Sequence, residues 1–267
     1  MLFADRLVVM RGGGDLATGV AHRLNRAGFP IVVLELGVPK TVRRSVAVST
    51  AVTDGEVDVD GLVARRVDSA GAALRVASEG VVAVLVSEDV PDFEVDVDVL
   101  VDARMLKEGG VTSLQDAGLV IALGPGPTAG VDCHAVIETM RGHDLGRVLW
   151  EGEAAPNSGV PGRLGGQDEL RVLRAETAGP VEWVVGIGDH VVREQVIGTV
   201  GDTPVRALTS GVVRGLIAPG FSAVPGLKLG DVDPRADRAS CHRVSDKALA
   251  VGGGVLEAVL TYLNRTA

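Results

Sequence analysis

Over the first half of the chain, short unbroken apolar runs alternate with stretches of helical periodicity. Residues 7–10 are apolar and stop at Arg11 and three glycines. Val20, Ala21, Leu24 and Ala27 then recur at helical spacing, and a second apolar run over residues 31–36 carries Glu35 near its end. This order predicts strand, glycine turn, helix, strand. Residues 46–52 have strand composition, and residues 56–60 alternate acid and valine as an exposed edge strand does. A helix is expected over residues 69–78, then a strand buried on both faces over residues 81–86. Further strands are expected over residues 98–104 and 119–123, and a helix from near Asp132, with that aspartate as its N-cap. The alternation predicts an α/β fold, a Rossmann-like parallel sheet with helices on its faces.

The texture changes after Pro156. Residues 156–166 are rich in Gly, Pro, Asn and Ser and read as a boundary loop. From there to Val232, short Val/Ile runs alternate with glycine turns and no helical period appears, which predicts a small β module. A weak repeat aligns residues 188–200 with residues 220–232, pairing Gly188 with Gly220, Val192 with Val224, Ile197 with Leu229 and Val200 with Val232. The repeat resembles the two-fold sandwich of biotinyl and lipoyl domains, a barrel-sandwich hybrid. Those domains carry their prosthetic group on a lysine of the central hairpin, and this chain has no lysine between Lys107 and Lys228. The expected domains are 1–160, Rossmann-like and nucleotide-binding; 161–232, the β module as an insertion; and 233–267, whose helix over residues 255–263 packs back on the first domain.

Composition narrows the picture. Hydrophobic residues make up 46% and aromatics only 3%, so the core must be built from Val, Leu, Ile and Ala. A net charge of −9 argues against nucleic acid or an anionic membrane as partner. Cys133 and Cys241 form no paired-cysteine motif, so neither a zinc ribbon nor a disulfide framework is expected. An early acid, Asp5, and no long apolar core argue against a signal peptide, and no run reaches the roughly 18 apolar residues of a membrane span. The expected location is the cytoplasm.

The candidate chemistry gathers where the sheet's strands should end. Gly12, Gly14 and Ala17 fit the glycine fingerprint of a dinucleotide-binding crossover, with Glu35 about where a ribose-binding acid belongs. Backbone amides at Gly12, Gly13 and Gly14 would hold a phosphate, and Arg11, Arg43 and Arg44 would neutralise it. The alternative is a tight turn that needs glycine and binds nothing, with the two later arginines on a solvated loop. Asp102 and Arg104 close another expected strand. Gly124 and Gly126 form a glycine-proline loop beside the helix expected from Asp132. On that helix His134, Glu138 and Arg141 would share one face and orient a ligand or transfer a proton; no metal is assigned to them. Residues 245–247 (Ser-Asp-Lys) read as a turn and N-cap rather than as catalytic groups, and Cys241 as a buried small apolar residue.

Several blocks together resemble a known family: residues 11–24, 43–44, 124–126, 129–132, 134–143, 231–235 and 245–258. They are similar to the YqeB-type selenium-dependent molybdenum hydroxylase system proteins. The resemblance implies an accessory or maturation factor for molybdenum hydroxylases of the xanthine-dehydrogenase type, with such an apoenzyme as partner. The ligand it implies is a molybdopterin-type cofactor, or another phosphate-bearing nucleotide, in the Rossmann-like cleft. Two alternatives stand beside it: an NAD(P)-dependent oxidoreductase, and a non-catalytic chaperone or scaffold for the hydroxylase.

Overall fold

A computed structural model describes residues 1–106, 112–156 and 169–266. The chain divides into two units, one of Met1–Pro39, Val48–Asn157 and Val244–Ala267, the other of Lys40–Ala47 and Ser158–Arg243. Most of the boundary loop expected over residues 156–166 lies outside the described residues.

The first unit is built on strands β1 (Val8–Arg11), β2 (Ile31–Glu35), β3 (Glu56–Val59), β4 (Leu62–Val67), β5 (Val82–Val86), β6 (Val99–Asp102) and β7 (Leu119–Leu123). The two-residue strand β8 (Thr128–Ala129), β9 (Ala135–Ile137), β10 (Val148–Leu149) and β11 (Gly152–Glu153) follow. Nine of them form one sheet in the order β10-β9-β7-β6-β1-β2-β5-β4-β3. All neighbours are parallel except the two edge pairs, β10 with β9 and β3 with β4. Helices α1 (Asp15–Ala27), α2 (Ala51–Asp54), α3 (Ala70–Ser78) and α4 (Asp246–Thr266) complete the unit. One apolar cluster joins α1 and α4 to Val8, Met10, Ile31 and Val33; a second joins α3 to Val9, Val32 and Leu34. Alternate residues of β1 and β2 thus feed opposite faces, and both faces are covered, as unbroken apolar strands require. The expected α/β class is met: the molecule contains a large, mostly parallel sheet with helices. Ser69 caps α3 through its side chain, which accepts from the Ala72 amide.

Two expected elements take other forms. Residues 48–50 are a 3-10 turn and residues 51–54 the short α2, not a strand. The cause lies in the glycine loop. The Val48 amide donates to the Thr18 hydroxyl at 3.0 Å, and the Ser49 amide to the Gly13 carbonyl at 2.9 Å, so this backbone bonds to the loop instead of to a strand. The helix expected from Asp132 is also absent; Ala135, Val136 and Ile137 are instead the fully buried strand β9, parallel to β7.

Helix α4 begins nine residues before the expected helix and runs through Gly252, Gly253 and Gly254. Glycine weakens a helix interior by about 1 kcal/mol each, and here packing overrides that. A Cβ on Gly252 would lie 2.3 Å from the Gly19 carbonyl oxygen of α1, and one on Gly254 only 2.1 Å from that of Gly146. A Cβ on Gly19 would in turn lie 2.2 Å from the Ala248 carbonyl oxygen. Only glycine allows the two helix backbones to approach this closely. Gly253 faces open space.

The second unit contains strands β12 (Val172–Arg174), β13 (Gly179–Trp183), β14 (His190–Val191), β15 (Val196–Val200) and β16 (Thr203–Arg206), then β17 (Gly211–Leu216), β18 (Ser222–Ala223) and β19 (Lys228–Asp233). They form two four-stranded antiparallel sheets, β12-β19-β17-β14 and β16-β15-β13-β18. A core of Leu173, Val181, Ile197, Val213 and Leu229 lies within this unit. The sequence repeat has a structural counterpart. In each copy a short strand, β14 or β18, is followed by a longer one, β15 or β19, in the other sheet. The paired Ile197 and Leu229, and Val200 and Val232, are all buried in that core, and Gly188 and Gly220 both take positive φ, +97° and +78°.

Candidate functional site

In open parallel sheets, ligands settle beyond the carboxyl ends of the strands, where the strand order reverses. Here that point lies between β1 and β6: the chain leaves β1 for β2 on one side and returns to β6 on the other. Gly12, just past β1, takes φ +91°, and a Cβ there would come 3.3 Å from Cγ of Arg104. Arg104 turns back on Asp102 at the end of β6, donating from Nε at 2.9 Å and from its terminal nitrogen at 2.5 Å. The Arg11 guanidinium donates to the Glu88 carbonyl at 3.0 Å and lies near enough to Arg104 to be repelled by it. Two arginines and one aspartate therefore line the switch point beside the glycine loop.

The loop is held from inside. Both oxygens of Glu35 accept backbone amides, Oε2 from Gly13 at 2.8 Å and Oε1 from Leu36 at 2.7 Å. The Gly12 amide donates to the Leu34 carbonyl at 2.8 Å. Ser49 crosses over Gly13, and a Cβ on Gly13 would lie 3.0 Å from its nitrogen. In the fold, Glu35 is the carboxylate that shapes the loop. Helix α1 then starts at Gly14 with no side-chain cap.

Of the three residues expected on one helix face, β9 separates two. His134 precedes the strand and Glu138 follows it, so the three residues of β9 lie between them and four extended steps, about 13 Å, separate them. His134 sits at the sheet's amino edge. Its Nδ1 accepts the Val120 amide at 2.9 Å, which fixes the neutral tautomer, and burial lowers its pKa. Glu138 is at the carboxyl edge, 5% exposed, with Oε1 accepting from Met140 at 2.6 Å and Oε2 from Ala155 at 2.7 Å. Arg141 forms a two-pronged pair with Asp246 at 2.8 and 2.9 Å. Gly124 follows β7 at φ +73°, where a Cβ would meet Thr139 Oγ1 at 2.8 Å; Gly126 takes φ +117°. Arg43 and Arg44 belong to the second unit, where they bond to the Ser240 and Leu216 carbonyls at 3.3 and 2.8 Å.

One residue that the sequence reading set aside stands out. Lys247, in the first turn of α4, is partly buried and has no hydrogen bond or ion pair among the described residues. Burial and Arg141 lower its pKa, against the opposing pull of Asp15, Glu138 and Asp246. Since α4 lies along α1, both helices start at this edge, and Lys247 lies near both starts. A Ser-Asp-Lys turn gives no sign of this in the sequence; the glycines at 19 and 252 that align the helices are the available signal.

Both thiols are buried; desolvation pushes Cys133 up to about 11 and raises Cys241, so neither is a ready nucleophile. Among the described residues there is no group of three or more His, Cys, Asp or Glu side chains able to hold a metal, and no helix long and apolar enough to cross a membrane.

No protein-family model matches the chain. It is 44% identical over 261 residues to "Uncharacterized protein YqeB" of Escherichia coli strain K12, an overlap covering 97% of this chain and 48% of that protein. The chain thus spans about half the length of the curated relative it matches. Among solved structures, the ectoine utilization protein EutE (DoeB) from Ruegeria pomeroyi in its product-bound form is 14% identical with a TM-score of 0.26, covering 85% of each chain. A succinylglutamate desuccinylase from Silicibacter is 15% identical with a TM-score of 0.25, again covering 85% of each.

Proposed function

We propose, from the chain's 44% identity to a YqeB protein, that its first unit binds a phosphate-bearing ligand at the carboxyl edge, as an accessory factor in maturing molybdenum hydroxylases. The ligand class is a molybdopterin-type cofactor or a nucleotide. One observation carries this reading: Arg11, Arg104, Arg141 and Lys247 come to one sheet edge beside a glycine loop and two helix starts, with Arg104 and Arg141 held in place by Asp102 and Asp246. Lys247 is the group left to meet an anion, since the carboxylates of Glu35, Asp102 and Glu138 are engaged by the protein itself. The hydroxylase connection rests on the family resemblance. In this reading the second unit, as a barrel-sandwich hybrid without a modifiable hairpin lysine, serves as the docking module for the apoenzyme.

An NAD(P)-dependent oxidoreductase draws less support. Ser49 covers Gly13, and the acid needed for a ribose has both oxygens on backbone amides. The test is calorimetric titration of the purified chain with molybdopterin, ADP, ATP, NAD and NADP. The expected result is binding of one of the first three, weakened at least tenfold by Lys247→Met. Failure of all five to bind would overturn the proposal.

A further inference from the structure

The second unit contains an unbalanced set of buried charges. Arg171, in the turn before β12, is 8% exposed, Arg214 on β17 is 8% exposed, and Asp231 on β19 is 3% exposed. The terminal nitrogen of Arg171 approaches Asp231 Oδ2 at 3.5 Å, a loose contact. The other two guanidinium nitrogens of Arg171, Nε and the second terminal one, are buried without a hydrogen-bond partner, as is Asp231 Oδ1. Lys228, three residues before Asp231 on the same strand, is partly buried and makes no hydrogen bond among the described residues. It lies within electrostatic reach of Arg171, Arg174 and Arg214, with Asp231 set against them at Lys228 and the fully buried Asp233 acting on Arg214. Its pKa is lowered, by burial first.

Strand register explains how the charges meet. Val172 and Gly215 both pair with Asp231, so β12 and β17 flank that residue from either side. Both ladders shift register close by, between Leu173 and Arg174 and between Val213 and Gly215. These irregularities interrupt the in-out alternation and turn charged side chains toward one another. A buried guanidinium nitrogen with no acceptor is costly, because it has given up its water without a replacement, and the fold holds two on one side chain.

We propose that Arg171, Arg214 and Lys228 form an anion site in the second unit, which takes a phosphoryl group, free or as the terminus of a nucleotide. An oxyanion with several acceptor oxygens would satisfy both idle nitrogens of Arg171 and offset the excess of cations around Asp231. The planar fork of arginine suits it to such a partner. This site is independent of the carboxyl edge of the first unit and uses none of its residues.

The test follows thermal unfolding and calorimetry of the full chain with inorganic phosphate, ADP, and sodium chloride at matched ionic strength. Phosphate is expected to raise Tm where chloride does not. Lys228→Gln removes an unbonded cation, so it should raise Tm in phosphate-free buffer while weakening phosphate binding at least tenfold. Arg171→Lys keeps the charge, loses the fork, and should weaken binding similarly. ADP binding that exceeds phosphate binding and falls in both variants identifies an esterified phosphoryl group; preference for phosphate identifies the free ion. An equal response to chloride overturns the proposal, as does unaltered affinity in folded Lys228→Gln. Loss of phosphate binding in Lys247→Met alone also overturns it, because the anion would then belong to the first unit.

Discussion

Among the described residues, each unit holds one partly buried lysine whose charge is disfavoured, and their surroundings are opposites. Lys247 faces three carboxylates, Asp15, Glu138 and Asp246, and one arginine. Lys228 faces one carboxylate, Asp231, and three arginines. The first environment is close to balanced by the chain's own acids, and two of them are further fixed, Glu138 by backbone amides and Asp246 by Arg141. The second keeps a surplus of positive charge. A desolvated lysine therefore means different things in the two places. In one it is a single partly buried contact on a frame already braced by its own acids; in the other it belongs to the cluster proposed to take an anion.

The largest expected effect tests how finished the first frame is. Glu138→Ala removes the carboxylate that holds the amides of Met140 and Ala155, and should cost roughly 3 kcal/mol in urea unfolding, since a hydrogen bond to a charged group contributes about 1.5–3 kcal/mol. If the loss is near zero, the carboxylate is not a brace and regains its candidacy as an acid or base. Next come the glycines. Gly254→Ala pushes a Cβ into the Gly146 carbonyl and should cost about 2 kcal/mol, whereas Gly253→Ala, facing open space, should gain about 0.5–1 kcal/mol.

A smaller effect separates the lysines by pH. Each has a folded-state pKa below its ordinary value, so the unfolded chain binds more protons between the two values. Stability should therefore rise with pH through that window, up to about 10.5, the ordinary lysine value. Lys228→Gln and Lys247→Met should each flatten part of this rise in pH-dependent melts. Saturating phosphate should flatten the Lys228 part and leave that of Lys247, if the anion sits in the second unit. The smallest effect is a silence: Ellman's reagent should leave Cys133 and Cys241 unmodified in the native chain. Each thiol reports on one unit, so mass-resolved labelling during denaturation would reveal which unit opens first.

The sheet was legible because its strands are unbroken Val/Ile/Leu runs, such as residues 82–86 and 119–123, bounded by polar turns. The exposed acids of residues 56–60 marked an edge strand, and β3 is at the sheet edge. The helix expected from near Asp132 failed for a definable reason. Its continuous apolar run is Ala135-Val136-Ile137, three residues that fit a buried strand and a helix equally well; Met140, expected on the same apolar side, is exposed, and the His-x-x-x-Glu spacing favoured the wrong period. The glycine loop was recognised, but its internal bonding was not, because the Ser49 contact and the Glu35 clamp join residues far apart in sequence. The charge cluster around Asp231 was equally hidden, since Arg171, Arg214 and Lys228 come from three separate segments.

The pairing of α1 with α4 also sets an order of events as the protein is made. Arg23 of α1 reaches the Leu249 carbonyl, a contact between residues 226 positions apart. Sites such as Gly19, Val20 and Leu24 lie at or near that interface or in the same core, yet they emerge from the ribosome long before residues 246–266 exist. Until then one face of the parallel sheet lacks part of its cover, while the second unit is synthesised and can close around its own apolar core. Late closure of the first unit follows, with a nascent chain that must keep an apolar sheet face from straying contacts until α4 arrives.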